Sequence, residues 1–270
     1  MRMATIASGS SGNCTYIGTE DTHILIDAGI SMKRTAEGLH ALDLDFSDLD
    51  AIFVTHEHSD HIQGIPMIEK HHGLPLYATG GTLARVKAGD AKGVIRQELI
   101  HVVRDREEVT VGDLTVRPFA ISHDAAEPVG YRVTQTAGNR QFCAAVATDM
   151  GCFDERIEQS LSGLDVLLLE SNHDVRMLQA GPYPYPLKQR ILGERGHLSN
   201  DAAGDLLSRV LHDGVKGVLL GHLSEMNNLP ELAYETVRVE IELSDTPWHG
   251  NDFPIDVAPR AMLSRVLTIG

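Results

Sequence analysis

Short apolar runs, broken by glycine, serine and charged residues, dominate the first part of the chain. Residues 3–8, 15–18 and 24–27 are apolar or β-branched and punctuated by glycine, which predicts strands joined by tight turns. Residues 31–42 predict a helix. Ala51-Ile52-Phe53-Val54-Thr55 is continuously apolar at strand length, the pattern of a central strand buried on both faces. A helix is expected to follow through Lys70, then a strand over 76–78 and a helix over 81–87. Strands return over 114–121, 129–134 and 141–147, followed by a helix over 154–161 and a buried strand over 166–169. Pro182, Pro184 and Pro186 predict a break before a short helix from Leu187. Ala203, Leu206, Leu207, Val210 and Leu211 recur at helical spacing after Ser199 or Asn200, either a suitable N-cap. A strand over 218–220, a helix over 230–241 and a terminal strand over 262–268 complete the pattern. Strand blocks followed by helices occur in both halves. That predicts an α+β chain with two sheets packed face to face and helices outside, a four-layer single domain over residues 1–270.

The chain has 270 residues, 42% of them hydrophobic, enough for a substantial core without disulfides. No run of about 18 apolar residues occurs, so no membrane-spanning helix is expected. Ser8 and Gly9 interrupt the start too soon for a secretory leader. Cys14, Cys143 and Cys152 are an odd set without metal-ligand spacing, which predicts reduced thiols and a cytoplasmic location. The net charge of −15 argues against a general nucleic-acid coat. A phosphate-bearing substrate would then need local cations. Residues 172–198 offer Arg176, Lys188, Arg190 and Arg195 against Asp174 and Glu194, with Tyr183 and Tyr185 among them. Such a segment either stacks bases and pairs phosphates or is a solvated helix face.

Where the 14 histidines fall carries the chemistry. Thr55-His56-Glu57-His58-Ser59-Asp60-His61 puts four ligand-type side chains within six residues, directly after a buried strand. Imidazole nitrogen and carboxylate oxygen suit Zn²⁺, Mn²⁺ or Fe²⁺. Two close ions repel, and a bridging carboxylate offsets that. His71 and His72, at a polar helix end, are expected on the surface.

His-X-His-X-Asp-His after a hydrophobic strand resembles the metallo-β-lactamase superfamily. The likeness extends to Asp27 at an early strand end, His123 ahead of Gly130-Tyr131, Thr148-Asp149, and Gly221-His222-Leu223-Ser224. The resemblance implies the four-layer αββα fold with a site for two divalent ions, Zn or Mn. One ion would be held by His56, His58 and His123, the other by Asp60, His61 and His222. Asp149 would bridge them and Asp27 would orient ligands. Ser122-His123-Asp124 stands where glyoxalase-type relatives carry a Gly-His-Thr turn, so the chain looks like the phosphodiesterase and nuclease side. Gly196-His197-Leu198-Ser199 is similar to ribonuclease Z. Only 18 positions separate Tyr131 from Asp149, leaving no room for that enzyme's tRNA-gripping insertion.

A closer resemblance is to the YycJ/WalJ-type subgroup, associated with 5′-to-3′ DNA exonuclease activity. It rests on residues 7–14, Glu170-Ser171-Asn172-His173-Asp174, residues 183–188, Gly196-His197-Leu198-Ser199-Asn200 and residues 222–228. It implies a DNA exonuclease using a metal-bridging hydroxide, with Asp60, Asp149 and His197 as catalytic groups and DNA ends as substrate. Ser8, Ser10, Ser11 and Asn13, in a glycine-serine turn, are candidates to hold a phosphate. Lys188, Arg190 and His173 are further candidates to face the substrate. His197 either donates a proton to the leaving oxygen or merely caps the helix after it. Two other readings stay open: a phosphodiesterase for a small or cyclic nucleotide, which a −15 surface suits, and a metal-dependent binding module.

Overall fold

The protein is described here as a computed structural model covering residues 1–90 and 93–270. The first strands in chain order are β1 (Arg2–Ala7), β2 (Cys14–Gly18), β3 (His23–Ile26), β4 (Ala51–Phe53), β5 (Leu76–Thr79) and β6 (Ile100–Val103). Then come β7 (Val109–Val111), β8 (Leu114–Ala120), β9 (Val129–Ala137), β10 (Arg140–Ala147), β11 (Val166–Glu170), β12 (Gly217–Gly221), β13 (Ile255–Val257) and β14 (Leu267–Thr268). Among the described residues they form two seven-stranded sheets, β14-β1-β2-β3-β4-β5-β6 and β13-β12-β11-β10-β9-β8-β7.

Three apolar layers explain the continuous hydrophobic runs. Between the sheets lie Ile24, Ile26, Ala51, Phe53, Tyr131, Val146, Val166, Leu168 and Leu219. The intervening residues of the same strands point the other way, because side chains alternate along a strand. Leu25, Ile52 and Val54 face helices α1 (Met32–His40), α3 (Ile65–His71) and α4 (Gly80–Gly89) through Leu39, Ile65, Ile68, Leu83 and Val86. On the second sheet, Leu167, Leu169, Val218 and Leu220 face α5 (Glu155–Leu161), α8 (Asn200–Val210) and α9 (Pro230–Leu243) through Ile157, Leu206, Leu207, Val237 and Ile241. This is the four-layer αββα sandwich expected from the strand and helix blocks.

Several boundaries differ from expectation for local reasons. The helix expected through Lys70 is split into α2 (Ser59–Ile62) and α3, because Gly64 lies against the chain after β3. A Cβ on Gly64 would fall 2.0 Å from the Ile30 carbonyl oxygen. Helix α7 (Tyr185–Leu192) begins before Leu187, since Pro186 sits in its first turn, where a missing N–H costs nothing. The terminal strand shrinks to β14. Ser264 instead exchanges two hydrogen bonds with Thr5, one through its side chain, which breaks a regular ladder. Strands β6 and β13 and helix α6 (Val175–Ala180) gave no recognisable pattern. β6 is an edge strand with only Val103 buried, so it lacks an apolar run. His71 and His72 are exposed, with His72 stacked on Phe46.

One buried acid stands apart from all this. Glu69 of α3 is fully buried, and burial pushes its carboxyl up from 4.5 to about 7. The folded chain therefore holds a proton that the unfolded chain releases between those values, and stability falls as pH rises through that window. Glu69→Gln should stabilise the protein more at pH 8 than at pH 5, by a difference on the order of 1–3 kcal/mol. Urea unfolding at the two pH values measures it, and equal gains at both would contradict it.

Candidate metal centre

The ends of six strands meet at one edge of the sandwich. β3 and β4 are parallel, as are β10, β11 and β12, so their C-terminal ends lie together. Beyond those ends stand Asp27, the His56–His61 segment, Asp149 and His222, with Glu170 as the last residue of β11 and His123 arriving from β8. Asp27, Asp149 and His222 have positive φ angles of 62°, 62° and 54°. Non-glycine residues rarely adopt this left-handed backbone, and its cost is tolerated where a side chain must be turned toward a site.

The histidine segment is clamped by the chain before it. Ala28 N–H donates to the His61 carbonyl at 2.9 Å and Asn13 N–H to that of Asp60 at 2.8 Å. A Cβ on Gly29 would sit 1.6 Å from the Asp60 carbonyl oxygen, so only glycine permits this approach.

Each ring is oriented through its outer nitrogen. His61 Nδ1 meets Asp27 Oδ2 at 2.8 Å. Thr55 Oγ1 donates to Asp27 Oδ2 at 2.8 Å and so accepts from His56 Nδ1 at 3.0 Å. His123 Nδ1 donates to the Gly196 carbonyl at 3.0 Å, and His222 Nδ1 meets Glu170 Oε1 at 2.9 Å. These partners leave the Nε2 lone pairs of His56, His61, His123 and His222 facing inward.

The inward atoms form overlapping clusters whose ligand-type atoms all lie within 4.8 Å of one another: His56, His58 and His123; Asp60, His61 and His222; and Asp149 with His56 and His61. Asp149 reaches both sides. Its Oδ2 is 3.2 Å from His61 Nε2, and its Oδ1 is 3.8 Å from His123 Nε2 and 3.5 Å from His222 Nε2. The structure thus brings together all seven residues proposed from sequence as ligands, with Asp27 behind them.

Glu170 was missed as a site residue. It is fully buried at the end of β11, with Oε1 2.8 Å from His197 Nδ1 as well as 2.9 Å from His222. Its Oε2 accepts from Met150 and Leu198 N–H. The available signal was a carboxylate closing the wholly apolar run Val166–Leu169; its partners are 27 and 52 positions away. His197 does not cap α8. Ser199 does, accepting from Ala202 N–H at 3.2 Å. Instead the His197 ring lies between His123 and His222, at centroid distances of 5.1 and 5.3 Å.

The electrostatics suit cations. Four carboxylates, Asp27, Asp60, Asp149 and Glu170, surround the histidines. Burial alone would raise Asp149, but His222 and His61 outweigh it and hold the carboxyl well below the usual range. Burial would lower His222, yet Asp149, Asp60 and Glu170 bring it up to about 10. His197 is likewise raised against burial, by Glu170 and Asp149. His56 is lowered by burial and by neighbouring His61. His56 Nε2, His222 Nε2 and Asp149 Oδ2 are buried without a hydrogen-bond partner among the described residues. Buried polar atoms are nearly always satisfied, so three such atoms converging from different elements fit the donor set of a divalent ion.

The outer candidates divide. Ser8 is buried, and its Oγ accepts from His222 N–H at 2.9 Å, so it braces the His222 loop and is not free to hold a phosphate. Asn13 accepts from Gly9 N–H, and its Nδ2 lies 3.4 Å from an Asp60 carboxylate oxygen. Ser10 and Ser11 are exposed. Ser10, Asn172, Tyr183, Arg190, His197 and Ser224 are among the residues lining a cavity of about 160 Å³ beside the ring cluster. Arg190 is bonded to Asp124. Lys188 turns away, donating to the Gln179 and Gly181 carbonyls at the end of α6. Arg195 is likewise spent on the His123 carbonyl. The basic segment 172–198 therefore places Arg190 at the cavity, while Lys188 and Arg195 bind backbone. His173 is buried under the start of α8, outside the ligand clusters, and burial lowers it to about 4.

This fold and histidine-aspartate edge define a class. Residues 22–222 match the beta-lactamase superfamily domain, and the chain belongs to that superfamily. It is 36% identical over 259 residues to exodeoxyribonuclease WalJ of Streptococcus pneumoniae serotype 2, covering 96% of this chain and 94% of that one. It is 38% identical over 242 residues to exodeoxyribonuclease YycJ of Bacillus anthracis, covering 90% and 89%. The solved structure of Zn²⁺-bound PqqB from Methylobacterium extorquens superposes over the whole of both chains with a TM-score of 0.72 at 16% identity, a likeness of fold alone.

Proposed function

We propose that this chain is a two-metal phosphodiester hydrolase that degrades DNA from a strand end, in the 5′-to-3′ direction. The observation that carries the reading is a pair of ligand clusters sharing one buried carboxylate, Asp149, with inward nitrogens left orphaned. The choice of DNA leans on similarity to two exodeoxyribonucleases across nearly the whole chain. His56, His58 and His123 would hold one divalent ion and Asp60, His61 and His222 the other, with Asp149 between them and Zn or Mn as the metal. Bound there, such ions acidify water and neutralise charge growing on phosphoryl oxygens.

The chain's own residues do the rest. Asp27, Thr55, Gly196 and Glu170 fix the ring tautomers. Asp60, whose carboxylate is partly exposed beside His61 and His222, orients the attacking water. His197, whose pKa Glu170 and Asp149 raise against burial, faces the cavity and gives its proton to the leaving oxygen. Residues 1–270 act as one domain, an assignment supported by the inter-sheet core running from Met3 to Leu267. No helix among the described residues is long and apolar enough to cross a membrane. Three unpaired thiols support a reducing compartment, the cytoplasm.

Purified protein loaded with Mn²⁺ or Zn²⁺, given duplex DNA labelled at either end, tests the reading. Labelled mononucleotides should leave the 5′ end first, and bis-p-nitrophenyl phosphate should be turned over in preference to a thioester or lactone. Thioester or lactone hydrolysis with no phosphodiester turnover would overturn it.

A further inference from the structure

The cations near the centre are not equivalent. Arg190 is met by the Asp124 carboxylate and Arg195 by backbone carbonyls. Arg260, from the segment between β13 and β14, is half-buried and forms no ion pair among the described residues. Its Nη2 donates to the Ser224 carbonyl at 3.1 Å, two residues beyond His222. Its aliphatic stem lies on the glycine-serine turn, where a Cβ on Gly9 would be 3.3 Å from Arg260 Cγ. The guanidinium is thus fixed between the two loops that carry Ser10 and Ser224 to the cavity beside the rings. A guanidinium has five N–H donors, and one bond to Ser224 leaves the others unused. In a chain of net charge −15, an arginine with no carboxylate partner among the described residues, beside a site read as handling an anion, keeps its charge available for one.

We infer that Arg260 holds a phosphate of the substrate strand outside the metal centre, at the rim between the Ser8–Asn13 turn and the His222 loop. This rests on the phosphodiester reading above. The cleaved phosphate sits at the rings, so a phosphate at Arg260 belongs to a neighbouring nucleotide. The contact therefore selects polynucleotide over small diesters. The Ser224 bond and the Gly9 surface immobilise the stem in advance, which lowers the ordering cost of catching the phosphate.

The test compares Arg260→Ala and Arg260→Lys with the parent protein, all metal-loaded. Binding of a fluorescein-labelled phosphorothioate decanucleotide is read by anisotropy across 50–200 mM salt. Arg260→Ala should raise Kd roughly tenfold and make the log Kd against log salt slope shallower by about 0.7. Arg260→Lys, which keeps the charge, should retain the slope. In turnover, Arg260→Ala should lose roughly tenfold more kcat/KM on an unmodified oligonucleotide than on bis-p-nitrophenyl phosphate, with the loss in KM. An unchanged Kd and slope would overturn the inference. Equal losses on both substrates would also overturn it, since they would mean that Arg260 only supports the His222 loop through Ser224. If the parent protein turns over neither phosphodiester nor binds the decanucleotide, the function itself fails. If the parent cleaves DNA and Arg260→Ala behaves like it, only the role of Arg260 fails.

Discussion

Asp149→Asn should leave a folded protein that carries less divalent metal and loses at least about 10³-fold in phosphodiester turnover, because charge-stabilising groups at a reacting centre are each worth several kcal/mol. Asparagine is the informative replacement. The residue has φ 62°, a conformation asparagine tolerates, whereas alanine would add backbone strain to the chemical loss. The wild-type carboxylate lies within 4 Å of His61, His123 and His222. Its negative charge is the one shared by both ligand clusters. Without it, two close cations repel across neutral imidazoles. Metal content by elemental analysis and turnover of bis-p-nitrophenyl phosphate measure the outcome. Full metal content with full activity would remove the two-metal mechanism.

Glu170→Gln should cost more turnover than His197→Ala. With His197 as the proposed proton donor, His197→Ala alone should lower kcat about 10²-fold with metal content intact. Glu170 serves that histidine and His222 through one oxygen, 2.8 and 2.9 Å away. Its other oxygen accepts from Met150 and Leu198 N–H, the first adjoining Asp149. Neutralising the carboxyl removes a charge that raises the His197 pKa and also weakens the orientation of His222. Changing such an outer partner of a metal-binding histidine costs about 10–100-fold in metal affinity or activity. That loss adds to the loss of the proton donor, so roughly 10³-fold or more is expected in total. Glutamine keeps the shape of the fully buried side chain, so a folding defect is limited, and circular dichroism checks it. If Glu170→Gln matches wild type in metal titration and turnover, Glu170 is merely buried.

Much of the centre could be read along the chain because its signals are local. A strand buried on both faces must be apolar throughout, so Ala51–Val54 and Val166–Leu169 announce the two sheets. Ligand-type side chains crowded after such a strand announce a cation site at its end. What sequence could not supply was the assignment of partners. Ser8 and Lys188 look like phosphate binders in a turn and a basic segment. In the fold, one meets an N–H group 214 positions away and the other the end of a neighbouring helix. Glu170 stands in the sequence only as a carboxylate closing an apolar run. The order β10-β11-β12 places it between Asp149 and His222, where no water reaches. Arg260 stands in an irregular tail without a motif until β14 pairs with β1 and brings that tail past the glycine-serine turn. Periodicity and residue type are properties of a few neighbouring positions, so the sequence by itself determined the layers and marked the His56–His61 cluster, while the family resemblance supplied the other candidate ligands. Which polar group satisfies which depends on strand order and on contacts across most of the chain, so only the tertiary structure decided whether each serves the metal centre, the substrate or the backbone.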